Sequence, residues 1–137
     1  MNDFVGCKAA LFFDDKLLVF LRDDKPGLRF ANMWDFPGGG REGEETPFET
    51  IVREVEEEFS IKLRLETFTW QKEFPAMHDP KLTGIFLVGQ LTQKDIDNIK
   101  FGTEGQKWQL MDVDELFVRD DVVPHLKERL QTYLDEK

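Results

Sequence analysis

The feature that most constrains this chain is a capped amphipathic helix set directly behind a run of glycines. Thr46, Pro47 and Glu49 make a helix start: a hydroxyl to cap the first backbone N–H groups, a proline suited to the first turn, and a glutamate that closes a Thr-x-x-Glu capping box. Phe48, Ile51, Val52, Val55 and Phe59 follow at steps of three and four, so one stripe of the helix must face a core. At about 100° per residue, Glu54, Glu57 and Glu58 fall on the opposite side within roughly a 100° arc. Met33–Phe36, ahead of the helix, reads as a short strand stopped by Pro37, after which Gly38, Gly39 and Gly40 form a glycine-rich loop.

Three carboxylates on one helical face repel one another unless something neutralises them. The helix carries one cation, Arg53, four residues before Glu57, where an ordinary solvated face would interleave lysines. Residues 41–58 hold eight of the chain's fourteen glutamates and carry a charge of −6, against −10 for all 137 residues. Acidity therefore has one centre. Overall it argues against long nucleic acid and anionic membranes as partners, since both would be repelled. It does not exclude a small anionic substrate brought in with a divalent metal. Hard cations bind carboxylate, carbonyl and phosphate oxygens, and glycines let backbone approach them, so loop and helix face together suit a metal–phosphate site, although a glutamate run alone reads as a solvated face and three glycines alone as a flexible loop.

The remaining chain reads as one α+β domain over residues 1–137, a mixed sheet with helices packed against it, without a regular βαβ rhythm. Phe4–Phe13 and Leu17–Arg22 form a hairpin around Asp14, Asp15 and Lys16. The segment 62–74 is mostly extended, with Leu63 and Leu65 alternating against charged neighbours, and Pro75–Pro80 is a turn region. Leu82–Leu91 and Lys107–Met111 are strands, and Asp95–Ile99 is a helical turn. A final helix runs from about Val122 to Leu134, with Val123, Leu126, Leu130 and Leu134 on one face and His125 within it. Met1–Phe13 reads as a first strand, not a signal peptide, and no apolar run reaches the roughly 20 residues of a membrane span. The single cysteine, Cys7, fits a buried thiol in a reducing compartment, so the expected location is cytoplasmic.

Gly39-x5-Glu45-x7-Arg53-Glu54-Val55-x-Glu57-Glu58-x-Ser60-Ile61 resembles the Nudix box, G-x5-E-x7-R-E-U-x-E-E-x-G-U, where U is a bulky aliphatic residue. Eight of its nine specified positions match across 23 residues. The wider run Phe36-Pro37-Gly38-Gly39 with Glu45-Thr46-Pro47 is most similar to MutT-type nucleoside triphosphate pyrophosphohydrolases, and looser similarity extends over nearly the whole chain. The departure is Ser60, where the family has the glycine that ends the helix in a left-handed conformation. Serine either adopts that conformation at some cost or shifts the cap, and it removes no metal ligand.

The resemblance implies an α/β/α sandwich and Mg²⁺- or Mn²⁺-dependent hydrolysis of a nucleoside diphosphate linked to another group. The first candidate is a nucleoside triphosphate cleaved to monophosphate and pyrophosphate. ADP-ribose, a nucleotide sugar, a dinucleoside polyphosphate or a capped nucleic-acid end is the alternative, and a non-catalytic nucleotide-binding module a further one. By position, Glu54, Glu57, Glu58 and the Gly38 carbonyl would be metal ligands, with Glu104 in a further loop as another. Arg53 would orient a box glutamate, and Gly39 and Glu45 would hold loop against helix. The general base would be Glu57 or Glu104, and Glu104 reads equally as a surface-loop residue. Arg22, Arg29, Asp35, Phe36 and Gly39 are candidate substrate contacts, though either arginine reads equally as an exposed surface residue. Trp34, Trp70, Phe74 and Trp108 belong to core packing or base stacking. Asp120 stands near the place where MutT-like relatives put a base-reading amide, and His78 is a loop residue. A monomer or a homodimer is expected.

Overall fold

The computed structural model describes residues 3–137, so Met1 and Asn2 of the expected first strand lie outside it. Strand β1 (Phe4–Phe13) turns at Asp14 and Asp15 into β2 (Lys16–Leu21), the two pairing antiparallel at Phe12–Leu17 and Phe13–Lys16. Beyond that point they part like a fork. On its outer side β1 pairs in parallel with β6 (Thr83–Gln90), which is flanked in turn by the antiparallel β5 (Phe68–Pro75). On its own outer side β2 pairs with β7 (Lys107–Asp112) along its whole length. Residues 34–40 bridge the open fork. Within it, β3 (Trp34–Asp35) pairs with Leu21 and Phe20 of β2, and β4 (Gly38–Gly40) pairs with Lys8, Cys7 and Gly6 of β1.

The triple glycine is thus a strand, where a loop was expected. Its pairing depends on the missing side chains: Gly38 has φ 140°, and a Cβ there would collide with the Cys7 carbonyl oxygen.

Both sheet faces are covered, as an α/β/α sandwich requires. Helix α1 (Pro47–Phe59) lays Ile51, Val55 and Phe59 on one face, against Ala9, Leu11, Leu18, Phe20, Ile85 and Leu87. The helix α4 (Leu126–Glu136) covers the other with Leu126 and Leu130, over Ala10, Leu17, Val19, Phe36, Phe86 and Val88. This face assignment follows the period of two along each strand. The α1 capping box forms as its residues dictate: Glu49 N–H donates to Thr46 Oγ1 at 3.2 Å and Thr46 N–H to Glu49 Oε1 at 2.9 Å. Cys7 is buried, its thiol 3.7 Å from the Pro47 carbonyl it donates to, and burial pushes its pKa up to about 12.

Several boundaries differ from the sequence reading for local reasons. The expected extended stretch 62–74 is broken by a tight 3-10 turn, Leu65–Thr67, which leaves Leu65 exposed and delays the strand to Phe68. Helix α2 is Gln93–Asp97, two residues earlier than expected, because Thr92 and Asp95 close a second capping box. The short helix α3 (Val113–Val118) was not foreseen. Helix α4 begins at Leu126 instead of Val122, because Trp34 holds the preceding segment extended: its N–H donates to Asp121 O at 2.8 Å, and its carbonyl accepts from Val123 N at 2.9 Å. Pro124 also disfavours helix at Val123, and His125 caps α4 at φ 74° instead of lying within it. Among the described residues no helix is long and apolar enough to cross a membrane.

Ser60 takes the left-handed conformation glycine would have, at φ 62° and ψ 25°, and its Oγ donates to the Lys100 carbonyl at 3.0 Å. The conformational cost of about 1–2 kcal/mol for an L-residue is opposed by a hydrogen bond worth about 1 kcal/mol. Ser60→Gly is therefore expected to shift stability by less than about 1 kcal/mol in denaturant unfolding, whereas Ser60→Val, which keeps the strain and loses the bond, costs about 1–2 kcal/mol.

Candidate active site

Closing the fork with glycines brings β4 against the acidic face of α1. The Gly38 N–H donates to Glu58 Oε1 at 3.1 Å, and a Cβ on Gly39 would collide with the Glu54 carboxylate. Arg53 ties the strand to the helix from the side. Its Nε lies 2.8 Å from Glu45 Oε2, its Nη2 donates to the Gly40 carbonyl at 2.7 Å, and its Nη1 lies 3.4 Å from Glu57 and 3.5 Å from Glu54. Glu45 in turn accepts from the Thr50 hydroxyl at 3.0 Å and from Glu42 N–H at 2.9 Å. Strand, helix start and helix face are one hydrogen-bonded unit.

In front of that unit opens a cleft of about 420 Å³, lined by Gly38, Gly39, Glu54, Glu58 and Glu104 together with Lys8, which pairs with Gly38 across the strands, Arg22, Asp23 and Lys25. Glu54 and Glu58 resist ionisation there. Burial raises both, Glu58 to about 8, despite the opposing pull of Lys8 and of the Gly38 N–H. Partly desolvated carboxylates beside backbone oxygens are the hard donor set a small divalent cation takes. Among the described residues no three His, Cys, Asp or Glu side chains gather into a ready-made cation cage. Two carboxylates completed by water and phosphate oxygens is the pattern typical of Mg²⁺, so these residues fit such an ion held jointly with a phosphate.

The sequence-derived candidates separate in space. Glu54, Glu58, Glu104, Gly38, Gly39 and Arg22 line the cleft. Glu57 does not: it is exposed on the outer flank, both of its oxygens 3.4 Å from Arg53 Nη1. Arg29 also lies off the cleft, its guanidinium 4.9 Å from the Phe30 ring centroid and its carbonyl accepting from Arg22 Nε at 3.1 Å. Asp35 is buried beneath the cleft, bound at 2.9 Å to Lys8 and at 3.1 Å to Arg22. Phe36 is wholly buried against Phe86, so it supports the site from the core and cannot line a nucleoside pocket. The four aromatics considered for stacking pack into the two cores, Trp34 fully buried and Trp70, Phe74 and Trp108 half-buried at their margins. Asp120 is exposed, while its neighbour Asp121 pairs with Arg119 at 2.7 Å. Sequence reasoning missed Lys8, Asp23 and Lys25. Lys8 had a signal, as the one charge interrupting an apolar strand.

A NUDIX domain is matched over residues 8–133, and the chain belongs to the Nudix family. Over 58 residues it is 43% identical to human nucleoside diphosphate-linked moiety X motif 6, covering 42% of this chain and 18% of that protein. It is 32% identical over 72 residues to 8-oxo-dGTP diphosphatase of Proteus vulgaris, covering 51% of this chain and 64% of the relative. The chain thus spans less than two thirds of either relative. In fold it is similar to a MutT protein from Methanosarcina mazei, with TM-score 0.76 and 18% identity over 98% of this chain and 96% of that one.

The Arg53 contact depresses Glu45 to about 2. A carboxylate lowered in the folded state contributes stability above its unfolded pKa and loses it as pH falls through the folded value. Thermal melts of Glu45→Gln against wild type are expected to show the variant less stable at pH 7, the gap closing as pH drops from about 4.3 toward 2.

Proposed function

We propose that this chain hydrolyses a nucleoside diphosphate-linked small molecule with a divalent cation, Mg²⁺ before Mn²⁺. A nucleoside triphosphate cleaved to monophosphate and pyrophosphate is its first candidate substrate. The observation that carries this reading is that one cleft gathers two ionisation-resistant carboxylates, Glu54 and Glu58, with Arg22, Lys25 and Lys8. The likeness to the Proteus diphosphatase supports the same substrate class.

A divalent cation, when bound, neutralises phosphate oxygens and lowers the pKa of a coordinated water. Glu54 and Glu58, with backbone oxygen at Gly38, are the groups that would hold it. Arg22 and Lys25, which line the same cleft, bind and orient the phosphate chain, keeping it in line for attack. Asp35 holds Lys8 and Arg22 in place beneath that chain. Arg53 and Glu45 position the metal-binding face without touching substrate. Glu104 stands on the cleft wall and is the better placed of the two candidate bases, because Glu57 is turned away toward Arg53.

A screen of nucleoside triphosphates, ADP-ribose, nucleotide sugars and dinucleoside polyphosphates, read by phosphate and pyrophosphate release under Mg²⁺ or Mn²⁺, tests this. Expected is metal-dependent turnover that falls roughly 10²-fold or more in Glu58→Gln with the melting transition retained, and that falls further in Glu104→Gln than in Glu57→Gln. Full activity in Glu58→Gln, or no product from any member of the panel, contradicts the reading.

A further inference from the structure

A second cavity, of about 210 Å³, lies beside the cleft and shares Lys8 and Gly39 with it. Val5, Met77 and Ile85 give it an apolar floor, and His78 stands at its exposed rim. Arg129 reaches it from α4, and only 7% of that residue is exposed. Its guanidinium donates to the Pro75 carbonyl at 2.6 Å and lies 5.1 Å from the Phe74 ring centroid. No carboxylate of the described residues forms an ion pair with it. Its neighbour Glu128 acts on it only through longer-range charge, and burial lowers its proton affinity.

Arg22, Arg41, Arg53, Arg64 and Arg119 each pair with a carboxylate, and Arg29, which does not, is exposed. In a chain of net charge −10 a buried guanidinium without one is the exception, since an unpaired buried charge is costly. No acidic side chain lines the cavity, and Lys8 is already engaged by Asp35. Arg129 is left as the charge for an incoming group to neutralise, with a planar donor fork that suits the two oxygens of a carboxylate or phosphate.

We propose that this cavity is an oxyanion subsite, taking a carboxylate or phosphate borne on a compact group, with Arg129 as its principal ligand. Because the cavity adjoins the diphosphate cleft through Gly39 and Lys8, the oxyanion belongs to the half of the substrate that extends past Gly39. That second statement rests on the hydrolase reading; the subsite itself does not.

The test begins with metal-free protein, so that it does not depend on turnover. Inorganic phosphate is titrated while the Arg129 Nε–H and Met77 methyl NMR resonances are followed. Expected is a saturable shift of both in wild type and in Arg22→Ala, whose altered residue lines the cleft and not the cavity, with the Met77 shift weakened about tenfold or more in Arg129→Met and partly restored in Arg129→Lys. The Met variant should fold, since it replaces an uncompensated buried charge with an apolar chain of similar reach. Shifts absent at Arg129, or unchanged at Met77 in Arg129→Met, overturn the subsite. With a turned-over substrate in hand, phosphate should raise KM without lowering kcat in wild type and lose that effect in Arg129→Met. Binding that leaves KM unchanged overturns the assignment to substrate.

Discussion

Everything in the site depends on how closely β4 approaches α1. Two strands of a hairpin part, and the gap between them is bridged by a segment whose second half is three glycines. At Gly38, with φ 140°, a side chain would strike the Cys7 carbonyl, so only glycine lets that strand lie against β1, and at Gly39 a side chain would displace the Glu54 carboxylate. Once it does, a backbone N–H reaches Glu58, Arg53 reaches the Gly40 carbonyl, and the acidic face is fixed relative to the sheet. The basic groups of the cleft follow from the same geometry, because Asp35 in the bridging segment anchors Lys8 from one prong of the fork and Arg22 at the end of the other.

The charge of the chain has a corresponding logic. The −6 concentrated in residues 41–58 is divided by the fold into two populations. Glu45 and Glu57 are compensated by Arg53 and hold structure, with Glu45 drawn well below the usual carboxylate range. Glu54 and Glu58 face the cleft, where burial raises both despite Arg53 3.5 Å from Glu54 and Lys8 beside Glu58. Arg129 is the converse case, a buried cation without its own acid.

Much of this was legible in the residues alone. The capping box, the apolar stripe and the glutamate spacing are local patterns, and each dictates geometry within a few residues; the helix and its acidic face appear where they were expected. What could not be read depends on partners distant in sequence. Three glycines look like a loop until β1 is there to pair with them. Val122 and Val123 look helical until Trp34 binds their backbone. Glu57 shares a helical wheel with Glu54 and Glu58, and the wheel alone does not show that it lies exposed beside Arg53 while the other two line the cleft. Phe36, next to the glycines in sequence, looks like pocket lining because strand alternation around a proline does not reveal that both faces of the sheet are covered. Arg129 carried no sequence signal at all, since an arginine on an amphipathic helix is ordinarily at the surface.

The central claim is that Glu54 and Glu58 form a cation site completed by substrate phosphate. Mn²⁺ binding followed by electron paramagnetic resonance, with and without a non-hydrolysable nucleoside triphosphate analogue, tests it most directly. Predicted is weak binding to the protein alone that tightens with the analogue, and that is lost in Glu54→Gln and Glu58→Gln but kept in Glu57→Gln. Mn²⁺ binding that is indifferent to the analogue, or that survives in Glu58→Gln, would contradict it.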